Sequence, residues 1–89
     1  MEVKHEDNRF YVKTAHGDAE LLYKITDGNK MSIYHTYVPE KERGKGIAGE
    51  IAVAAFEFAK KNKLKVKPDC QYIKHFIEKH PEMKELVFK

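Results

Sequence analysis

Val38-Pro-Glu-Lys-Glu-Arg-Gly-Lys-Gly-Ile-Ala-Gly49 is the stretch on which the fold turns. Its last six residues, Gly44 to Gly49, fit the spacing G-x-G-x-x-G, and on either side of it the pattern of apolar residues changes period. A helix entered through glycines is a ready anion site. Its first N–H groups are unpaired, its dipole is positive at that end, and the missing side chains let an oxyanion approach. The alternative is that Gly44 and Gly46 form an irregular loop and Gly49 packs close to a strand. Arg43 and Lys45, beside the glycines, favour the anion reading.

The spacing alone suggests a dinucleotide fold, and Asp69 lies about twenty residues beyond the last glycine, where such folds hold a ribose. Three features oppose it. Pro39-Glu-Lys-Glu-Arg43 separates the glycines from the preceding strand, the strands before it form a meander, and only one further strand follows. A Walker loop is excluded because no G-x-x-x-x-G-[KS]-[ST] run occurs.

N-terminal to the loop the signals are strand-like. Arg9 to Lys13 is short and aromatic-rich, His16-Gly-Asp18 turns into Ala19 to Thr26, and Asp27-Gly-Asn29 closes before a third run from Lys30 to Val38. In that run Met31, Ile33, His35 and Tyr37 fall on one face and Ser32, Tyr34, Thr36 and Val38 on the other. Neither set is plainly polar, so this strand is expected to be central and covered on both faces. From Gly46 to Asn62 the period becomes helical. Ile47, Ile51, Ala55 and Phe58 make one stripe, and Ala48, Ala52, Ala55 and Ala59 a neighbouring one that permits close packing on a sheet. Leu64 to Pro68 reads as a brief strand. A helix then runs from Cys70 or Gln71 to Lys79, with His80-Pro81 as its stop.

The chain of 89 residues and 10.4 kDa is expected to be one domain with one small core. One cysteine, Cys70, excludes an internal disulfide framework and fits a reducing compartment. No apolar run approaches the length of a membrane span and the N-terminus is too polar for a secretion signal, so the expected location is cytoplasmic. The net charge of +3 is unevenly spread: residues 41–65 carry seven basic groups against three acidic ones. Lys60 to Lys65 read as a solvated helix end, which leaves Arg43 and Lys45 for the loop. No RNP-like motif or strongly basic face supports nucleic-acid binding. The Cys70, His75, His80 spacing is not a usual zinc arrangement, and no metal is expected.

Residues 38–48 resemble the acetyl-CoA signature of the GNAT superfamily of N-acetyltransferases, [Q/R]-x-x-G-x-[G/A], with Arg43, Gly46 and Ala48 in register between a strand and a long helix. His35-Thr-Tyr-Val-Pro39 and Pro68-Asp-Cys-Gln-Tyr72 extend the likeness to the small stand-alone proteins of that superfamily. The resemblance covers roughly residues 8–88 and implies a minimal α+β fold with a mixed, mostly antiparallel sheet. It implies acetyl-CoA as cosubstrate. The backbone N–H groups of Arg43, Gly44, Lys45, Gly46, Ile47 and Ala48 would hold the pyrophosphate, and the pantetheine would lie between strands 30–38 and 64–68, pairing near Thr36, Tyr37 and Val38. Larger members have two helices where Val12 to Ala19 makes only a turn here, so the acceptor site should be open.

Three residues are candidates for chemistry, each with a structural alternative. Tyr72 stands near where the superfamily's tyrosine acid meets the CoA sulfur, or it is a core aromatic beside Phe76. His35 could accept a proton from an amine, or it is a strand histidine held by hydrogen bonds. Cys70, at a helix N-terminus, could carry the acetyl group transiently, or it is a small buried residue. The expected activity is acetyl transfer to an amine, small molecule or protein lysine, by a monomer or weak dimer. A non-catalytic acyl-CoA-binding module is the alternative.

Overall fold

A computed structural model describes residues 1–88. Strands β1 (Lys4–Glu6), β2 (Arg9–Thr14), β3 (Gly17–Thr26) and β4 (Lys30–Tyr37) precede a 3₁₀ turn at Glu40–Glu42, and helix α1 spans Ile47–Lys61. Strand β5 (Lys65–Pro68), helix α2 (Gln71–Lys79) and a second 3₁₀ turn at Pro81–Leu86 complete the order. The architecture is α+β, with one five-stranded sheet in the order β1-β2-β3-β4-β5. The first four strands form an antiparallel meander and β5 joins β4 in parallel, α1 supplying the crossover that a parallel pair requires.

The core lies on one face of the sheet. Phe10 and Val12 of β2, Ala19, Leu21 and Tyr23 of β3, Met31 and Ile33 of β4 and Val66 of β5 pack with Ile51, Ala52, Ala55, Phe56 and Ala59 of α1 and with Ile73, Phe76 and Ile77 of α2. Ala52, Ala55 and Ala59 serve the close approach expected of the alanine stripe, whereas Ala48 is half-buried and lies outside the core. The aromatic partner differs from expectation: Phe56 is fully buried and lies 5.5 Å from Phe76, whereas Phe58 is only half-buried and joins Phe10 and Tyr23. The second helix supplies the reason, since α2 covers the flank of α1 that carries Phe56.

The strand at 30–37 is interior, paired with β3 and β5, but it is not covered on both faces as expected, and the middle strand is β3. Met31, Ser32 and Ile33 are buried but Tyr34, His35 and Tyr37 are exposed, because the sheet face away from the core carries no helix. A β-bulge breaks the alternation: Tyr23 pairs with Ile33 and Leu22 with His35, so Tyr34 is the extra residue. Beyond it the parity flips. Thr36, opposite the core residue Leu21, joins Met31 and Ile33 on the helix side, while His35 and Tyr37 share the other face with Leu22 and Glu20.

The β2–β3 turn falls at Ala15 and His16, since Thr14 already pairs with Gly17. Strand β1 and the closing 3₁₀ turn carried no sequence signal. Residues after that turn cover the outer side of β5 through a parallel bridge from Val87 to Val66 and a bond from Phe88 N–H to Val66 O. Among the described residues no helix is long and apolar enough to cross a membrane.

Candidate active site

Strands β4 and β5 run paired from Lys30↔Lys65 to Ile33↔Pro68, and the last tie between them is Asp69 N–H to Ile33 O at 3.0 Å. The bulge follows at once, and Tyr34 to Tyr37 have no register partner in β5. The two strands therefore part where the loop and both helix N-termini gather. A cavity of about 370 Å³ opens there, walled by Thr36 to Val38 of the strand end, by Glu42, Arg43, Gly44 and Gly46 of the loop, by Ile47 to Gly49 and by Tyr72.

The loop is built around backbone donors. Arg43 N–H closes the 3₁₀ turn on Glu40 O at 3.2 Å, and the first bonded amide of α1 is that of Glu50, on Gly46 O at 3.1 Å. Among the described residues the N–H groups from Gly44 to Gly49 meet no backbone acceptor. The run of free amides thus begins one residue later than expected, because Arg43's own amide is engaged. Gly44 and Gly46 sit at φ +84° and +81°, the left-handed region that glycine enters without strain, and this turns the chain into the helix.

The loop's cations have partners inside the fold. Arg43 Nε donates to Val38 O at 2.9 Å, with its guanidinium 6.0 Å from the Tyr37 ring centroid. Lys45 Nζ donates to Glu42 Oε1 at 2.9 Å. Glu42, unremarked in the sequence, is buried at the cavity wall, and its Oε2 lies 2.7 Å from His16 Nδ1. Hydrogen bonds from Lys45 and then His16 hold its carboxyl below the usual carboxylate range. No local signal could have found this pair, since it joins residues 26 apart.

Of the three chemical candidates, the structure brings two together. Cys70 is the N-cap of α2, and its thiol donates to Thr36 Oγ1 at 3.4 Å across the open end of the strands. Tyr72 follows in the first turn and lines the cavity. Its hydroxyl would lie 3.8 Å from a Cβ placed on Gly49, so that glycine faces the tyrosine rather than a strand. Burial, and secondarily Cys70, pushes the Tyr72 phenol above its ordinary range, so it is protonated at neutral pH. His35 is separated from both. The bulge sends it to the uncovered face, where Nε2 lies 3.4 Å from Glu20 Oε2. Among the described residues no group of three or more His, Cys, Asp and Glu side chains is placed to hold a metal ion.

The sequence model of the GCN5-related N-acetyl-transferase family matches residues 9–86. Protein NATD1 of zebrafish (Danio rerio) and of human (Homo sapiens) is 34% identical to the chain over 85 residues, which cover 91% of this chain and 77% and 75% of those proteins. The solution structure of a GCN5-like protein from Staphylococcus aureus superposes with a TM-score of 0.81 at 30% identity, covering 98% of this chain and 87% of that one. A glycine-entered helix beside two parting parallel strands, a family match across nearly the whole length and a shared fold agree: the chain belongs to the GCN5-related N-acetyltransferase family.

Proposed function

We propose that the protein transfers the acetyl group of acetyl-CoA to an amine. The observation that carries this reading is the run of amides from Gly44 to Gly49, free of backbone acceptors and lining a cavity that continues to Tyr72. In this reading those amides and the N-terminal dipole of α1 receive the pyrophosphate. The pantetheine lies against the unpaired edge of β4 at Thr36 to Val38. The thioester then reaches the Cys70 and Tyr72 end, where an unprotonated amine attacks its carbonyl and the carbon–sulfur bond breaks. A backbone N–H of β4 donates to the developing oxyanion, the Tyr72 hydroxyl donates its proton to the departing thiolate, and the proton released by the acylated nitrogen passes to solvent, from which the phenol is re-formed.

Direct attack is favoured over an acetyl-enzyme on Cys70 because Tyr72 lines the cavity as a protonated phenol. The non-catalytic acyl-CoA-binding reading draws on one observation: the carboxylate in the cavity wall, Glu42, is already engaged by Lys45 and His16, and His35 faces away.

Thermal melts with acetyl-CoA and with NAD, followed by an acetyl-transfer screen over amines and lysine peptides, test the reading. Acetyl-CoA is expected to stabilise the protein by about 2.7 kcal/mol at a hundredfold excess over Kd, and NAD to leave it unmoved. Tyr72→Phe should then slow transfer by about a hundredfold, while Cys70→Ala keeps most activity. A trapped acetyl group on Cys70, removed by hydroxylamine, would replace direct transfer with a covalent route. Binding of acetyl-CoA without transfer to any amine would leave the binding module, and equal stabilisation by NAD would sink the assignment of the loop.

A further inference from the structure

We propose that His16 and Glu42 form a brace through which the β2–β3 turn holds the loop of residues 43–49 in shape, and that this brace, rather than the charge of Arg43 and Lys45, sets the loop's affinity for the pyrophosphate of a CoA thioester. The inference rests on the function proposed above and assigns positioning residues to that same site.

A carboxylate in the wall of an anion-binding cavity opposes the ligand by like charge, more so where burial lowers the local dielectric. Glu42 has a side chain only 8% exposed and stands in that wall, so its presence calls for a structural reason. Both of its oxygens are occupied. Oε1 accepts from Lys45 at 2.9 Å, and Oε2 lies 2.7 Å from His16 Nδ1. Lys45 is thereby drawn back onto the 3₁₀ turn, with Gly44 and Gly46 at positive φ on either side of it. Its ammonium is directed at Glu42, so the backbone amides are what the loop offers an anion.

His16 lies outside the cavity lining, on the β2–β3 turn, which is itself fixed. Its own N–H donates to Thr14 Oγ1 at 3.1 Å, and the Thr14 hydroxyl donates to Gly17 O. The same turn comes close to the approach to the loop at a second place, since a Cβ placed on Gly17 would lie 3.9 Å from Pro39 Cγ. The turn therefore approaches the segment that leads into the loop at two places, Pro39 and Glu42. A loop rich in glycine has high conformational freedom when unheld, and a ligand that must order it loses affinity by that cost. The brace removes part of that cost before the ligand arrives.

The test measures CoA affinity by calorimetry, together with the amide resonances of Gly44 and Gly46 in the free protein, for wild type, His16→Ala and His16→Asn. Asparagine places an amide donor near the position of Nδ1 and restores the bond. His16→Ala is expected to weaken CoA binding by about tenfold, the loss of one hydrogen bond to a charged group, and to shift or broaden both glycine resonances. His16→Asn is expected to bind close to wild type. Wild-type affinity in His16→Ala, or an equal loss in both variants, would overturn the brace. If the wild type binds no CoA at all, the proposed function fails, and the brace is then decided on the free protein: unmoved Gly44 and Gly46 resonances in His16→Ala reject it, and displaced ones sustain it.

Discussion

At position 46 the backbone stands at φ +81° and ψ +11° as the N-cap of α1, with no side chain capping it. An added Cβ would meet nothing within 4 Å, so replacement there costs backbone strain alone. Gly46→Ala should destabilise by about 1–2 kcal/mol and lower Tm accordingly. Gly46→Asp should add to this a negative charge against the pyrophosphate and abolish the shift produced by CoA. Gly49 lies within the first turn of the same helix at an ordinary φ, and a Cβ there makes a normal 3.8 Å contact with the Tyr72 hydroxyl. Gly49→Ala should therefore raise stability by about 0.5–1 kcal/mol, chiefly by restricting the unfolded chain. Two glycine-to-alanine changes three residues apart thus have opposite expected signs. Thermal melts of the pair check this, and a shared sign would refute the assignment of strain to position 46. The glycine spacing was legible in the sequence, but which of its members is strained was not, because φ depends on how the loop is held.

At the scale of elements, α1 shows how far periodicity reaches. Ile47, Ile51, Ala52, Ala55 and Ala59 are buried as a 3.6-residue stripe requires. Phe56 and Phe58 lie two positions apart, so they point to different flanks, and a single-face pattern cannot rank them. Docking of α2 ranks them by covering Phe56 completely. Phe56→Ala should cost about 3–5 kcal/mol, much of the stability of a small domain, whereas Phe58→Ala should cost distinctly less. Denaturant midpoints of the two variants measure the order, and equal losses would contradict the packing of the two helices. Strand β4 teaches the same point for sheets. Alternation was read correctly up to Ile33, but one bulged residue moved His35 to the uncovered face and Thr36 toward Cys70. A bulge is a property of a pair of strands and leaves no mark on either alone.

For the whole molecule, the contact between the β2–β3 turn and the loop makes stability depend on pH in a defined direction. The Glu42 carboxyl is held below its ordinary value of 4.5, first by Lys45 and then by His16. The unfolded chain therefore binds the proton more readily than the folded one, and stability rises with pH through this range. The contribution is fully present above about pH 5 and is lost as pH falls through the lowered folded value. Asp18, lowered in the same direction chiefly by its hydrogen bond from Arg9, adds to the same acid limb. Glu42→Gln should be less stable than wild type near neutrality, and the difference should close as the solution is acidified. Denaturant titrations at a series of pH values read that convergence; a gap that stays constant into acid would show that the charge of Glu42 is not what stabilises the turn.

The sequence by itself determined the order of the three longer antiparallel strands, the long helix, the brief strand at 64–68 and the helix after it, and the position of the glycine entry; it also singled out Tyr72, which lines the cavity, and Cys70, which bonds Thr36 beside it. These are local properties, written in the period of apolar residues and in the turn chemistry of glycine, proline and aspartate. Only the tertiary structure decided that β3 is the middle strand, that one face of the sheet is uncovered, that β4 and β5 part after Ile33, and that Glu42 reaches His16. Each of those depends on which distant segments meet, and burial and hydrogen bonding across that distance are settled by the whole chain closing on one core.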